Sequence, residues 1–375
     1  MNSSLKMYAA LEGKKLDHFP VVAPYLSLFL RDHWEDITKK PSWKYHQWML
    51  SEPSTHCQEY LNLHQQLAFD WVNPNWASTH EARRRLKVIR KEGDTYIYHQ
   101  GKDTYTKQPE NLHHLTAPPN EKSRVHDQQD IDEQVRILKA HEIDERGELD
   151  YIRGAVKLLG DSHFIATNIS APFYQCSEYV GLSRLFTLLY EDRELIEYLS
   201  NRLLEGIIER IRALANTGID GIYVQNAMTT SDMISVEFFE IFVMPYLEEI
   251  IKEAERHNLK TVLYFFGGVA DRIEQIVSLG ADAINFEPSM KGYVNDIADI
   301  AQRIGDDTCL FGNINPYTVI ELADEETLAE KIREQISVGR NLCQGGFVTS
   351  TGTSPITPGT SLARVKKYME IAAGS

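Results

Sequence analysis

Cysteine is scarce and scattered. The four cysteines, Cys57, Cys176, Cys309 and Cys343, form no CxxC pair and no Cys/His cluster, so the chain encodes neither a disulfide framework nor a zinc motif. They read as reduced, buried thiols. No apolar run approaches the roughly 18 residues of a membrane span, and the opening MNSSLKMYAALEGKKLDHFP holds no continuous apolar stretch of signal-peptide length. A cytoplasmic protein without membrane contact is expected. Positive charge is also short, with 39 Lys and Arg against 54 Asp and Glu and a formal charge of −15. Such a chain repels polyanions on average, which argues against a nucleic-acid partner. Its one basic cluster, Arg83 to Arg85, reads as a solvated turn or a local anion clamp.

What is present is the balance of a globular chain: 42% apolar and 25% charged residues over a length of 375. From residue 160 onward, short β-branched runs alternate with longer amphipathic segments, the pattern of repeated βα units on a parallel sheet. The runs are 163–167 (HFIAT), 220–224 (DGIYV), 261–265 (TVLYF), 283–286 (AINF), 308–311 (TCLF) and 346–349 (GFVT). The stretch SVEFFEIFVMPYLEEIIKEAERHN predicts a helix, with Phe239, Phe242, Met244 and Leu247 on its core stripe and Asn258 as terminator. Upstream, 19–23 (FPVVA) and 67–72 (LAFDWV) add two strands, and eight strands close a barrel. The expected fold is α/β, a single (β/α)8 TIM-barrel domain over 1–375.

Residues 79–160 are expected as an insertion between the second and third strands. The first half alternates around Gly93-Asp94 as a hairpin does, and the second half, from about Gln128 to Leu159, predicts two helices. His113 and His114 in the linker between them read as solvent-exposed side chains rather than metal ligands, since no third ligand stands nearby. All five tryptophans fall within the first 76 residues; they either line a pocket near the first two strands or pack the N-terminal helices.

In a barrel of this kind the site lies just beyond the C-terminal ends of the strands. The polar groups predicted there are Asp70, Asn73 and Asn75, then Asn168 and Ser170, then Gln225, Asn226, Thr229 and Thr230. Tyr264, Glu287, Asn313, Asn315 and the hydroxyl-rich run Thr349 to Ser354 follow. Asp70 sits inside an apolar phrase, where a carboxylate must be hydrogen-bonded or titrate abnormally; it is either an acid, base or cation anchor, or a loop-holding aspartate. Glu287 is the second carboxylate, while Asp282 belongs to the turn before its strand. Asn313 and Asn315 orient a substrate or hold a loop, but transfer no protons.

The phrases FPVVAPY, LAFDWVNP, ISAPFYQ, FFEIFVMPYLEEI, GNINPYTVI and GTSPITPGTSLARVKKYMEIA resemble, in order and spacing, the uroporphyrinogen decarboxylase superfamily. That superfamily includes the corrinoid-linked methyltransferases of the methylcobalamin:coenzyme M type. The resemblance implies an enzyme with Asp70 as the essential aspartate after the second strand, Tyr179 as the tyrosine after the third, Thr229 in place of the serine after the fourth, and Ser350–Thr351 in place of the C-terminal histidine. The arginine pair that holds propionates in decarboxylases is replaced by Tyr25 and Phe29, leaving Arg31 and Arg83 to Arg85 as the candidate substitutes. The zinc-binding His/Cys/Cys set of the methyltransferases is replaced by Tyr264, Phe266 and Thr353, so no metal is expected.

The reading that results is a methyltransferase-type member acting on a small organic substrate, with catalytic Asp70, Tyr264, Glu287 and Tyr179. Its expected substrate contacts are Tyr25, Asn73, Gln225, Asn226, Thr229, Phe266, Asn313, Asn315, Ser350 and Thr353. No cofactor is expected to be held tightly; methylcobalamin or another corrinoid would be presented by a partner protein, and the resemblance also suggests a homodimer. The alternatives are uroporphyrinogen decarboxylase itself, working without a cofactor, and a non-catalytic ligand-binding barrel.

Overall fold

The structure, a computed structural model, describes residues 1–108, 122–290 and 292–374. His113 and His114 lie outside the described residues. The strands are β1 (Trp71–Val72), β2 (Leu86–Lys91), β3 (Asp94–His99), β4 (Thr104–Gln108), β5 (Phe164–Ser170), β6 (Gly221–Asn226), β7 (Lys260–Phe265), β8 (Ala283–Phe286), β9 (Cys309–Phe311) and β10 (Phe347–Val348). Seven of them form one parallel sheet in the order β1-β5-β6-β7-β8-β9-β10, which is nearly the order of the chain. Helices connect successive strands, as parallel pairing requires. Arg193–Ala215 shows why they form. Asp192 caps it by accepting the Leu195 N–H at 3.1 Å, and Leu195, Leu199, Leu203, Ile207 and Ile211 recur every fourth residue on the buried face.

The predicted strand 19–23 is reduced to one parallel bridge, Val21 to Thr349. Pro20 and Pro24 bracket it and donate no N–H, and the Val21 N–H goes to the Asp70 carboxylate instead of a neighbouring strand. Even so, Val22 N–H donates to Thr349 O at 2.9 Å, Thr349 N–H to Pro20 O at 2.8 Å and Asp70 N–H to Val21 O at 2.9 Å. The curled sheet thus meets the segment 20–22 along both edges, giving a TIM-barrel-like fold. The predicted strand 67–72 likewise shortens to Trp71–Val72.

The predicted long helix after β6 is broken at Val243 (φ −124°) into Val236–Phe242 and Met244–Arg256, because Pro245 can sit only in a first turn. Asn258, at φ 56°, ends it as expected. Between β1 and β5, β2 and β3 pair around the turn Glu92-Gly93, both at positive φ as a two-residue hairpin favours, and β4 joins as a third antiparallel strand. Three helices follow rather than two: Gln128–Gln134, Ala140–Glu145 and Asp150–Leu159. Gly147, at φ 78°, separates the last two, and Asp150–Leu159 packs on the helix Pro53–Gln66 and on β5, as part of the layer around the sheet. Trp34 and Trp48 pack with Tyr45 among the N-terminal helices, whereas Trp71 points into the sheet's concave interior.

Candidate functional site

The two ends of the parallel strands are built from different chemistry. At the N-terminal end, three aspartates stand immediately before β1, β6 and β8. Asp70 accepts the Val21 N–H at 2.7 Å, Asp220 the Ile165 N–H at 2.7 Å and Asp282 the Thr261 N–H at 2.8 Å. Each takes a second partner: Lys6 Nζ at 3.1 Å for Asp70, the Tyr8 hydroxyl at 2.8 Å for Asp220, and Lys260 Nζ at 2.7 Å for Asp282. Lys6 and Tyr8 belong to the helix Ser3–Leu11, which lies across this end. Burial raises the Asp220 pKa, opposed by the Ile165 N–H and the Tyr8 hydroxyl.

Asp70 was expected at the opposite end, beside the substrate. The structure corrects this: the residue precedes β1, Trp71 pairs with Phe164 at the start of β5, and the carboxylate is held by Lys6 and Val21. Its burial is explained by these bonds, the loop-holding alternative. The residues that do follow β1 are Asn73, Pro74 and Asn75.

Inside the curl, the alternating side chains of the strands meet in an aromatic layer. The Tyr223 and Tyr264 rings are 4.9 Å apart, Trp71 lies 5.9 Å from Tyr223 and 6.4 Å from Tyr264, and Phe311 lies 5.8 Å from Trp71. Burial raises the Tyr264 pKa well above its ordinary value; Tyr25 and Tyr223 add to this and Asn285 opposes it. Tyr264 is therefore a neutral hydroxyl sealed in the floor of the site.

Above this floor, at the C-terminal ends, the polar groups are mostly neutral. Gln225 Nε2 donates to the Tyr25 hydroxyl at 3.3 Å, and Gln225 Oε1 accepts from Ser170 Oγ at 3.3 Å and Asn168 Nδ2 at 3.4 Å. Tyr25 stands at φ 55°, unusual for a bulky residue, with its ring over Tyr223, Tyr264 and Phe266 at 6.3, 6.3 and 6.4 Å. Burial chiefly raises its pKa, and the nearby Glu287 contributes. Asn73 accepts the Leu26 N–H at 3.0 Å, while its buried Nδ2 has no partner among the described residues. Glu287, buried after β8, accepts from the Tyr293 hydroxyl; burial first, then this bond and the charges of Glu287 and Asp232, raise the Tyr293 pKa. Tyr293, Tyr223 and Asn285 were not predicted, and Trp71 takes the pocket-side alternative offered for the tryptophans. Trp71, Tyr223 and Asn285 were readable from the two-residue period of strands; Tyr293 lies in a loop several residues past its strand and left no such signal.

The remaining predicted contacts are engaged in holding loops. Asn313 donates to Asn295 O at 3.1 Å and accepts from Gln335 at 2.8 Å. Asn315 caps the helix Pro316–Glu321 through the N–H groups of Tyr317 and Thr318. Thr229 donates to Asn226 O at 3.2 Å, its own carbonyl accepts from the fully buried Arg272, and Asn226 Nδ2 donates to Val224 O at 2.9 Å. Ser350 Oγ donates to Gly352 O at 3.4 Å, and Thr353 Oγ to Phe265 O at 2.9 Å. Tyr179 ends the helix Pro172–Val180, two turns from β5, with the Arg124 guanidinium 5.2 Å from its ring; no bond joins it to the Tyr25–Gln225 group.

The fit to a zinc site is poor. Thr353 and Phe265 are bonded, so the positions of the resemblance's ligand set do come together, but a phenol, a phenyl ring and a hydroxyl replace imidazole and thiolates. Among the described residues no three of His, Cys, Asp and Glu gather as a metal requires. Nor is there a helix among them long and apolar enough to cross a membrane. Close approach at the rim is set by Gly267, at φ 148°, where a Cβ would run into Thr230 and Asp232.

The chain is 29% identical over 234 residues to a uroporphyrinogen decarboxylase of Hydrogenobaculum sp., covering 60% of this chain and 63% of that protein. It is 21% identical over 237 residues to the methylcobamide:CoM methyltransferase MtbA of Methanosarcina acetivorans, covering 62% and 66%. Each alignment thus spans just under two thirds of the relative. A methyltransferase from Methanosarcina mazei shares the fold with a TM-score of 0.70 at 18% identity, over 99% of this chain and 98% of that one. The family model for uroporphyrinogen decarboxylase (URO-D) matches residues 113–374, well over half of the chain, and the chain therefore belongs to the URO-D family.

Proposed function

We propose that this chain is a methyl-transferring enzyme of the family, binding a small organic substrate at the C-terminal ends of its strands. A corrinoid presented by a partner protein would supply the methyl-carrying chemistry. The observation that carries this reading is the make-up of the site: amides and hydroxyls around Tyr25 and Gln225 above an aromatic floor, with Glu287 and Tyr293 as its acid–base couple. A porphyrinogen bearing several carboxylates needs fixed cations, and the strand ends named above offer neutral groups and a carboxylate instead. A small uncharged substrate suits them.

In this reading Tyr25 and Gln225 orient the substrate, and the buried ring of Tyr264 with Phe266 excludes water. A thiol, amine or phenol taking the methyl group would bond to the methyl carbon as that carbon's bond to the corrinoid broke, the electron pair leaving with the corrinoid. The acceptor's proton would pass to the Glu287 carboxylate by way of the Tyr293 hydroxyl hydrogen-bonded to it. Asn73, with its free Nδ2, is a further donor for the substrate.

The test is absorbance of methylcobalamin incubated with the purified chain and a panel of small thiols, amines and phenols. Demethylation with at least one of them is expected, and no consumption of uroporphyrinogen. The 29% likeness to a decarboxylase keeps decarboxylation as the second reading. Uroporphyrinogen consumption with release of carbon dioxide would replace the first reading by it, and absence of both reactions would favour a binding barrel.

A further inference from the structure

Residues 80–108 differ from the rest of the chain in charge. They carry eight Lys and Arg against four Asp and Glu, whereas the whole chain carries 39 against 54. They form the helix His80–Arg85 and the antiparallel sheet β2–β4, joined to the end of β1 by residues 73–79. In that connection Trp76 donates its indole N–H to Asn168 O at 3.0 Å, beside Gln225. The basic sheet is therefore rooted at the site end of the strands.

The register sorts its two faces. Lys87 is paired with Tyr98 and Tyr98 with Tyr105; Tyr96 is paired with Lys107, and Lys91 falls on the same side. The Tyr98 and Tyr105 rings are 5.0 Å apart, which confirms that they share a face, and Tyr105 is 59% exposed. The opposite face carries Arg90, whose guanidinium lies 5.8 Å from the Trp43 ring, and buried Thr95. That face is turned toward the body. Asp94 lies on the Lys/Tyr face too and is taken up by Lys107 at 2.6 Å. Lys87 and Lys91 therefore leave that face net positive beside the aromatic contact area of Tyr96, Tyr98 and Tyr105, a combination that protein interfaces use.

We propose that this Lys/Tyr face docks an acidic partner protein, the carrier that brings the transferred group to the site. The identity of the partner as carrier rests on the function proposed above; the surface rests on charge and register alone. With a formal charge of −15, the chain repels an acidic protein over most of its surface and attracts it here, so the charge asymmetry orients the encounter toward the site end. A basic partner would be drawn elsewhere.

The experiment uses the full chain and a fluorescent oligoglutamate peptide as probe, with an oligothymidylate of equal charge beside it. At low ionic strength the wild type should bind oligoglutamate, and the double variant Lys87→Glu/Lys91→Glu should bind it about tenfold or more weakly. A charge-matched control, Lys252→Glu/Lys331→Glu, should bind as wild type. Equal loss in the control, no binding by the wild type, or a clear preference for oligothymidylate would each overturn the proposal. Turnover of free methylcobalamin, which needs no carrier, should be the same in wild type and Lys87→Glu/Lys91→Glu. If no form turns it over while oligoglutamate binding keeps this pattern, the methyl-transfer reading fails and the acidic docking surface stands.

Discussion

At the N-terminal end of the parallel strands, Asp70, Asp220 and Asp282 each accept a backbone N–H from the neighbouring strand and a second bond from Lys6, Tyr8 or Lys260. At the C-terminal end, Gln225 makes three bonds of 3.3 to 3.4 Å, Asn73 Nδ2 has no partner among the described residues, and Tyr25 is held at positive φ. The first arrangement satisfies its charges and ties strands together; the second leaves donors and acceptors for something else to complete. A buried carboxylate is therefore no pointer to chemistry by itself. Its partners decide whether it holds the fold or serves a substrate.

The contrast is broken most directly at Glu287. Glu287→Gln keeps the shape but removes the proton acceptor, and should lower kcat for methyl transfer by about a hundredfold or more with little change in melting temperature. A loss of stability with unchanged kcat would move Glu287 to the structural class. The converse substitution is Asp70→Ala, which strands Lys6 and the Val21 N–H. A loss of about 3 kcal/mol in urea unfolding is expected, with activity per folded molecule retained. If Asp70→Ala is instead stable and inactive, the aspartate belongs to the chemistry after all.

Acid should act on the same N-terminal end. Burial lowers the His64 pKa to about 3, and the His163 ring, 4.5 Å away, is also lowered by burial. The unfolded chain binds these protons near the ordinary value of about 6.5 and the folded one only at lower pH. Stability is accordingly full above that pH and falls as pH drops below it, by at most about 1.4 kcal/mol per pH unit for each histidine. Urea midpoints measured between neutrality and acid pH should show this slope, and His64→Leu should flatten it. The smallest effect is expected from Tyr25→Phe: losing the Gln225 bond should raise KM about threefold, roughly 0.7 kcal/mol, and leave kcat nearly unchanged.

Much of the fold was legible in residue order. The six runs from HFIAT to GFVT all carry strands, because apolar β-branched runs bounded by turn residues have few other ways to be buried. The hairpin was legible to within one residue, expected around Gly93-Asp94 and found with Glu92-Gly93 as its turn, and the stop at Asn258 followed from backbone preference. The candidate site was legible in part: Tyr25, Gln225, Phe266 and Glu287 are brought near one another, while Asn313, Asn315 and Thr353 turn out to hold loops. An amide looks the same in a sequence whether it faces a ligand or caps a helix.

Local pattern thus determined where the strands run and which residues alternate inward, since both depend on contacts a few residues apart. Which end of a short strand a residue occupies was decided only in three dimensions. In LAFDWV the strand begins at Trp71, one residue after the aspartate, because Pro20 and Pro24 limit the neighbouring segment and the Asp70 carboxylate takes the N–H that would have extended the pairing. That single hydrogen bond helps to place Asp70 beside Lys6, at the end of the strands opposite Glu287 and its neighbours.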